Sequence, residues 1–348
     1  MTQRLRAQLL CGGRAGGVTE VARHLLAVQS QDARGVRLAI RARTRGLTAA
    51  DVDAALAAGD VVVTWLNRGT LHLVAREDHH WLHALTARPR LAGCVRRLAQ
   101  EGVEPAQADR GVALIARALQ DGPRDRAALG AVLAAAGIPT RGQALIHLLM
   151  LSSLRGVTVR GPMLGKQHAY VLTADWLGPA KPVARERALA ELARRYLRAH
   201  APADERDLAR WAGLPLRDTR AGLEAIAREL TPLAGGRVAL ARAAPRAGRP
   251  RPLLLGAFEP LLLGWRSREE VVGAHAPAVV RGGMFHPFAA VSGRAAATWS
   301  IRDRAVVLAP FEGGARTELA RTLEADAADV LRFLALDPAP GRALQTVA

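Results

Sequence analysis

Apolar residues recur at helical spacing through most of this chain, and at alternate positions in a few short runs. Val21, Leu25, Leu26 and Val28 fall on one face of a helix for which Thr19 is the expected cap. That helix ends in the polar stretch Gln29-Ser30-Gln31-Asp32. A second helix is expected over 33–43, closed by Gly46. A third opens at Thr48, has Asp51 in its first turn and ends near Ala58. Gly59-Asp60 breaks the pattern. The run VVVTWLNRGTLHLVA, from Val61 to Ala75, then reads as a β-hairpin turning at Asn67-Arg68-Gly69. Three helices followed by a hairpin is the order of a winged helix, in which the hairpin is the wing.

The order recurs twice. Helices over 109–119, from Asp125 to 135, and over 140–154 precede the strand-like runs VTVRG and AYVLT, and Asp175-Trp176-Leu177 leads out. A long amphipathic helix over 185–199 follows. An Asp204-capped helix then runs to Trp211, a helix opened by Pro215 runs to 229, and LTPLAGGRVAL forms a compact hairpin. The Arg/Pro/Ala/Gly stretch 241–252 reads as a linker. Beyond it LLLGAF, PFAAVSG, AAATWSI and AVVLAPF are short strands between turns, as in a small barrel. A last helix covers 315–334, and the tail PAPGRALQTVA carries no element. The expected fold is α+β, mainly α: three tandem winged-helix motifs plus a C-terminal small β-barrel. Its domains are 1–105, 106–180, 181–241 and 253–348.

Composition narrows the function. The 348 residues include 49 Lys+Arg against 31 Asp+Glu, a formal charge of +18 that attracts polyanions. All but Lys166 and Lys181 of the basic residues are arginine, which binds phosphate bidentately. Aromatics are only 4%, so Leu, Val and Ala must fill the cores. Two cysteines, Cys11 and Cys94, exclude a disulfide framework and a cysteine zinc finger. No apolar run is long enough for a membrane span, and the basic N-terminus lacks the apolar core of a signal peptide. A cytoplasmic protein is expected. No P-loop or dinucleotide fingerprint is present.

Within the hairpin, Thr64, Arg68, Thr70 and His72 share one parity and suit a wet or DNA-facing side. Val63, Trp65, Leu71 and Leu73 share the other and suit a core. Glu77, Asp78, His79 and His80 are adjacent, but neighbouring histidines on a helix point about 100° apart and chelate poorly, so they read as surface residues. His24, His83, His147 and His168 lack ligand spacing.

The blocks LLAVQSQDARG, TWLNRGTLHLV, LLLGAFEPLLLGWRSR and AATWSI together resemble the AlkZ/YcaQ-type winged-helix DNA glycosylases, in order and through most of the chain. The resemblance implies winged helices arranged in a C shape with a C-terminal β-barrel. It implies hydrolysis of bulky N7-alkylguanine adducts or unhooking of interstrand crosslinks, with a link to self-resistance against an alkylating natural product. The family's catalytic Gln-x-Gln motif falls on Gln29 and Gln31, around Ser30 where the family's central residue is usually apolar. Residues i and i+2 of an extended segment face one side, so both amides would address one nucleotide. The hairpin would probe the duplex through Thr64, Asn67, Arg68, Thr70 and His72, with Arg266 and Arg268 as further DNA contacts. Glu259 stands where the family commonly has Asp, and is expected to brace the barrel by pairing with Arg266 or Arg268. Water is the expected nucleophile, since neither Lys166 nor Lys181 lies in a matching motif for a Schiff base. The expected partner is double-stranded DNA containing alkylated guanine or adenine, bound by a monomer without cofactor or metal. The rival reading from another class is a non-catalytic winged-helix DNA binder or regulator.

Overall fold

The structure, a computed structural model, describes residues 1–165, 167–241, 248–312, 316–337 and 343–346. Several helix starts follow the side-chain oxygens that the sequence supplies. The first unit holds α1 (Thr2–Ala7), α2 (Val18–Leu25), α3 (Ala33–Arg43) and α4 (Ala49–Ala57), with the short strand β1 (Val28–Gln29) between α2 and α3. Asp32 accepts from the Gly35 amide to start α3, and Thr48 with Asp51 forms a capping box on α4. The expected Thr19 cap is not used: α2 begins at Val18 with Gly17 before it. β2 (Val61–Leu66) and β3 (Thr70–Ala75) follow, then α5 (His79–Thr86) and α6 (Leu91–Gln100). Neither α1, α5 nor α6 was among the expected elements.

The same order of three helices and a hairpin appears twice more. α7 (Pro105–Ala118), α8 (Arg126–Ala135) and α9 (Ala144–Leu154) precede β4 (Thr158–Leu164) and β5 (Gln167–Leu172), and α10 (Thr173–Leu177) leads out. α11 (Arg185–His200), α12 (Glu205–Ala212) and α13 (Leu216–Ala225) precede β6 (Leu230–Leu233) and β7 (Arg237–Leu240). With 52% helix and 20% strand the chain is α+β with helix dominant.

The first two hairpins do not stand apart as wings. They share one five-stranded sheet of order β1-β3-β2-β4-β5, joined between the units where Val63 pairs with Arg160. The hairpin Val61–Ala75 is therefore interior to a sheet, and every residue of β2 is buried. This corrects the expectation of one wet face. The parity itself is as read, since Thr64 pairs with His72 and Trp65 with Leu71, and cross-strand partners share a face. What differs is that other elements cover the polar face, leaving Thr64 and His72 buried.

After the linker, part of which lies outside the described residues, comes a second five-stranded sheet. Its strands are β8 (Leu253–Leu255), a minor pair β9 (Val280–Arg281) and β10 (Met284–Phe285) standing apart, then β11 (Phe288–Val291), β12 (Arg294–Arg302), β13 (Ala305–Pro310) and β14 (Leu344–Thr346). Among the described residues the order β14-β13-β12-β11-β8 runs from edge to edge with no bond that closes it into the expected barrel. The helix Arg316–Phe333 packs beside it, burying Leu323, Ala327, Val330 and Leu331. The tail is not without structure: β14 pairs in parallel with β13.

Glu259 does not pair with Arg266 or Arg268. It meets Arg43 of α3 at 2.6 Å, with both side chains fully buried. Arg266 instead lies against Asp204 and Asp207, and Arg268 donates to the Leu262 carbonyl. His79 and Asp78 are buried rather than on the surface, because α11 packs over α5 and Arg195 reaches Asp78 at 2.7 Å.

Two buried histidines make stability depend on pH. Burial pulls His72 and His200 down to about 3, against about 6.5 in an unfolded chain. As pH falls below about 6.5 the unfolded chain takes up these protons first, so stability is full above that value and is lost toward the folded values. The thermal midpoint should therefore drop between pH 6.5 and 4.5. A flat midpoint across that window would show that both residues ionise freely in the fold.

Candidate active site

Gln29 lies in β1 directly opposite His72 of β3, and His72 lies opposite Thr64 of β2. Cross-strand partners share a face, so Gln29, His72 and Thr64 form one polar row across three strands. β1 is held there because Val28 pairs with Leu73 and the Ser30 amide donates to the Leu71 carbonyl at 2.7 Å. Gln31 follows two residues on, in the bend beyond the end of β1. Asp32 then caps α3, so the motif is clamped between a sheet ladder and a helix start.

Both amides have a fixed orientation. Arg68 donates from Nη2 to Gln29 Oε1 at 2.9 Å, and the Leu71 amide donates to Gln31 Oε1 at 3.2 Å. A guanidinium and a backbone N–H only donate, so each oxygen is engaged and each Nε2 is the end presented outward. Gln29 is buried and Gln31 exposed, which grades the pair from the floor of the site to its rim.

His72, expected to face the duplex, is enclosed in the sheet instead. It is buried, and burial together with the Arg68 charge holds it neutral. Its Nδ1 lies 2.9 Å from the Thr70 carbonyl, an acceptor only, so Nδ1 carries the proton and Nε2 keeps a free lone pair. The row therefore combines amide donors with an imidazole acceptor. Several neighbours have polar atoms without a partner in the protein: Ser30 Oγ, Thr64 Oγ1, Thr70 Oγ1 and both atoms of the Asn67 amide. Buried polar groups are normally bonded, so these five atoms are available to a ligand; a comparable set lies around β4 and β5, at Arg160, His168, Tyr170 and Thr173.

Arg68, at the hairpin turn, reaches the third unit. Its Nη1 donates to the Trp211 carbonyl at the end of α12. Arg90, which the sequence reading missed, donates to the Gly213 carbonyl at 2.6 Å. Gly213 has φ +70, and a Cβ there would come within 3.0 Å of both the Arg68 backbone and the Arg90 guanidinium, so only glycine permits this approach. Arg266 and Arg268 do not join the row. Arg266 is exposed and ion-paired, and Arg268 lies over the Phe285 ring at 5.0 Å, near enough to Arg68 to lower its proton affinity. No signal in the sequence marked Arg90 or Arg210, because the loops that bring them together are distant along the chain.

Among the described residues no group of three or more His, Cys, Asp or Glu side chains is arranged to hold a metal. No helix there is long and apolar enough to cross a membrane. Lys181 is exposed between α10 and α11, and Lys166 lies outside the described residues.

The family model described as DNA glycosylase AlkZ-like matches residues 22–333. An interstrand DNA cross-link repair glycosylase of Streptomyces sahachiroi is 26% identical over 371 aligned residues, covering 97% of this chain and 96% of the relative. The solved structure of the Streptomyces sahachiroi DNA glycosylase AlkZ is alike in fold, with a TM-score of 0.78 and 24% identity over 99% of this chain and 98% of that one.

The tautomer argument is open to direct measurement. Long-range proton–nitrogen NMR on His72 should show a protonated Nδ1 and a bare Nε2, unchanged from pH 5 to 9. A His72 midpoint near 6.5 would remove it as a neutral acceptor.

Proposed function

The chain belongs to the AlkZ-like DNA glycosylase family, and on that premise we propose that it hydrolyses the N-glycosidic bond of bulky or crosslinking N7-alkylated purines in duplex DNA. The observation that carries this reading is the row of Gln29, His72 and Thr64 with Gln31 beside it, on the positions of the family's Gln-x-Gln motif.

An N7-alkylguanine is cationic, so its glycosidic bond is already weakened and the leaving base needs no added proton. The C1′–N9 bond breaks with its electron pair going to the purine, which leaves neutral. The sugar becomes oxocarbenium-like. A water oxygen then bonds C1′ and its proton passes to bulk solvent, giving an abasic site and a neutral base. The site's task is to place that water and the sugar. Each Gln Nε2 donates to sugar or phosphate oxygens. The second lone pair of each Gln Oε1 and the free Nε2 of His72 accept from the water. Three neutral groups suffice because the lesion carries its own activation.

The winged-helix reading of the three helix–hairpin units belongs to this proposal, as do the four domains 1–105, 106–180, 181–241 and 253–348. In it the first unit supplies the chemistry and the cationic surface supplies duplex affinity. We place the reaction in the cytoplasm, on chromosomal DNA, carried out by a monomer. A role in self-resistance to an alkylating natural product follows if the lesion is that product's adduct.

The test uses duplex DNA carrying one defined N7-alkylguanine, incubated with the protein and then heated in alkali to cleave abasic sites. Strand cleavage should appear only after alkali, since water and not lysine is the nucleophile. Gln29→Ala and Gln31→Ala should each slow single-turnover release by ~10²-fold, less than the usual maximum for a water-positioning group because the base leaves readily. The double variant should lose less than the combined single losses if both amides hold one water. Unchanged rates in both single variants would overturn the assignment. Tight binding without base release on any adduct would leave the non-catalytic DNA-binding reading.

A further inference from the structure

We propose that Arg68, Arg90, Arg210 and Arg268 form a clamp for a single phosphodiester beside the nucleotide being cleaved. The proposal deepens the glycosylase reading and rests on it for the identity of the anion. The four residues come from four distant segments: the first hairpin turn, the loop before α6, the last turn of α12, and the segment after Trp265. Several partly buried arginines elsewhere are met by a carboxylate, as Asp53 meets Arg37, Asp326 meets Arg41 and Asp78 meets Arg195. None of these four has a carboxylate partner among the described residues.

Their convergence is built rather than incidental. The α12–α13 turn closes on the hairpin through Gly213, which lets the Arg90 guanidinium and the Arg68 backbone meet at the end of α12. The carbonyls there accept from Arg68 and Arg90, and Leu262 holds Arg268 through Nε at 2.9 Å while Phe285 supports its guanidinium from below. Each guanidinium keeps further N–H groups in hand, and the exposed Arg210, whose carbonyl lies 3.4 Å from Arg68 Nη1, has no side-chain partner among the described residues. The charges feel one another: burial first, then Arg210, Arg268 and Arg90, pull Arg68 down to about 10, and Arg210 also lowers Arg268 after burial.

A simpler account would have these side chains cap the C-terminal end of α12. Two of them do so, but one cation satisfies a helix end and the repulsion among four exceeds what that role requires. Arg268 donates to a different carbonyl altogether. A phosphodiester resolves the arrangement, because its oxygens accept from several guanidiniums at once and its charge cancels their repulsion. The clamp also adjoins the chemistry, since Arg68 holds Gln29 Oε1 through the same guanidinium. Seating the phosphate therefore fixes the nucleotide relative to the buried amide.

The test uses the full chain and the variants Arg210→Gln, Arg268→Gln and Arg210→Lys. The Arg210 side chain is exposed and has no hydrogen bond or ion pair among the described residues, so its substitution leaves folding intact. Inorganic phosphate at constant ionic strength should raise the thermal midpoint of the wild type, and much less that of either Gln variant. Duplex affinity should fall about tenfold in Arg210→Gln, with the log–log salt slope reduced by about one, and recover partly in Arg210→Lys. Replacing phosphates one at a time with neutral methylphosphonates around the lesion should reveal one position at which the wild type loses affinity and Arg210→Gln does not. No phosphate effect on the midpoint, or equal losses for wild type and variant at every methylphosphonate, overturns the clamp. If phosphate and salt responses are as expected while no adduct is excised, the clamp stands and the glycosylase reading fails.

Discussion

The buried pair of Arg43 and Glu259 holds the first unit against the C-terminal part of the chain. Neither side chain is exposed, and their atoms meet at 2.6 Å. Arg43 also donates to Gln8 Oε1 at 3.0 Å and to the Ala39 carbonyl, while Gln8 donates to the Ala199 carbonyl at 2.7 Å. One guanidinium thus ties α3 to the N-terminal segment, to α11 and to the turn before Pro260. Burying two charges is expensive, and such a pair adds little net stability over an apolar replacement. Losing one partner, however, leaves a bare buried charge at a cost of about 3–5 kcal/mol. The pair therefore acts as a specification: these elements dock in this register or they do not dock well.

That register decides where the candidate site sits. α3 begins two residues after Gln31, across its cap Asp32, so whatever fixes α3 fixes the motif. Arg41 adds a second anchor on the same helix, bonding Asp326, Asp329 and the Leu254 carbonyl. Its C-terminal half thus faces carboxylates, while its N-terminal end carries the Gln-Ser-Gln segment into the sheet. Gly35 fits against the Ala257 carbonyl so closely that a Cβ would lie 2.3 Å from it, which keeps the two parts in contact near the motif. The amides are aimed by a scaffold whose strongest restraints lie at the opposite end of one helix.

Local signals made most elements legible. Capping residues Asp32, Thr48, Asp125 and Asp204 placed four helix starts, and Asn67-Gly69 placed the hairpin turn. The short strand that carries Gln29 ends there, and Gln31 lies in the bend before α3, so period-two alternation does not reach it. What stayed hidden was long range. Nothing in VVVTWLNRGTLHLVA says that a second hairpin will join its edge through Val63 and Arg160, so burial of Thr64 and His72 was invisible. Glu259 was expected near in sequence to its partner, whereas its true partner is Arg43, far along the chain. α5 escaped because three histidines blur its apolar stripe, whereas α6 has a well-separated apolar face and was legible in principle. Among 47 arginines, sequence offered no means to tell the paired from the convergent.

The same electrostatics explain why neutral groups suit this row. Arg68 sits against Gln29 with other arginines close by, so a carboxylate at position 29 would be drawn into a bidentate ion pair and its lone pairs would be occupied. An amide binds Arg68 through one lone pair, stays uncharged, and keeps its N–H groups for the nucleotide. His72 is held neutral by the same burial and the same neighbouring charge, which leaves its Nε2 an acceptor at any working pH. In the proposed reaction a cationic base would meet positive charge here, and a phosphodiester seated first would cancel much of it. The chemistry then asks the protein for placement more than for proton transfer. Placement is what a buried sheet row, a capped helix and an arginine-held amide provide.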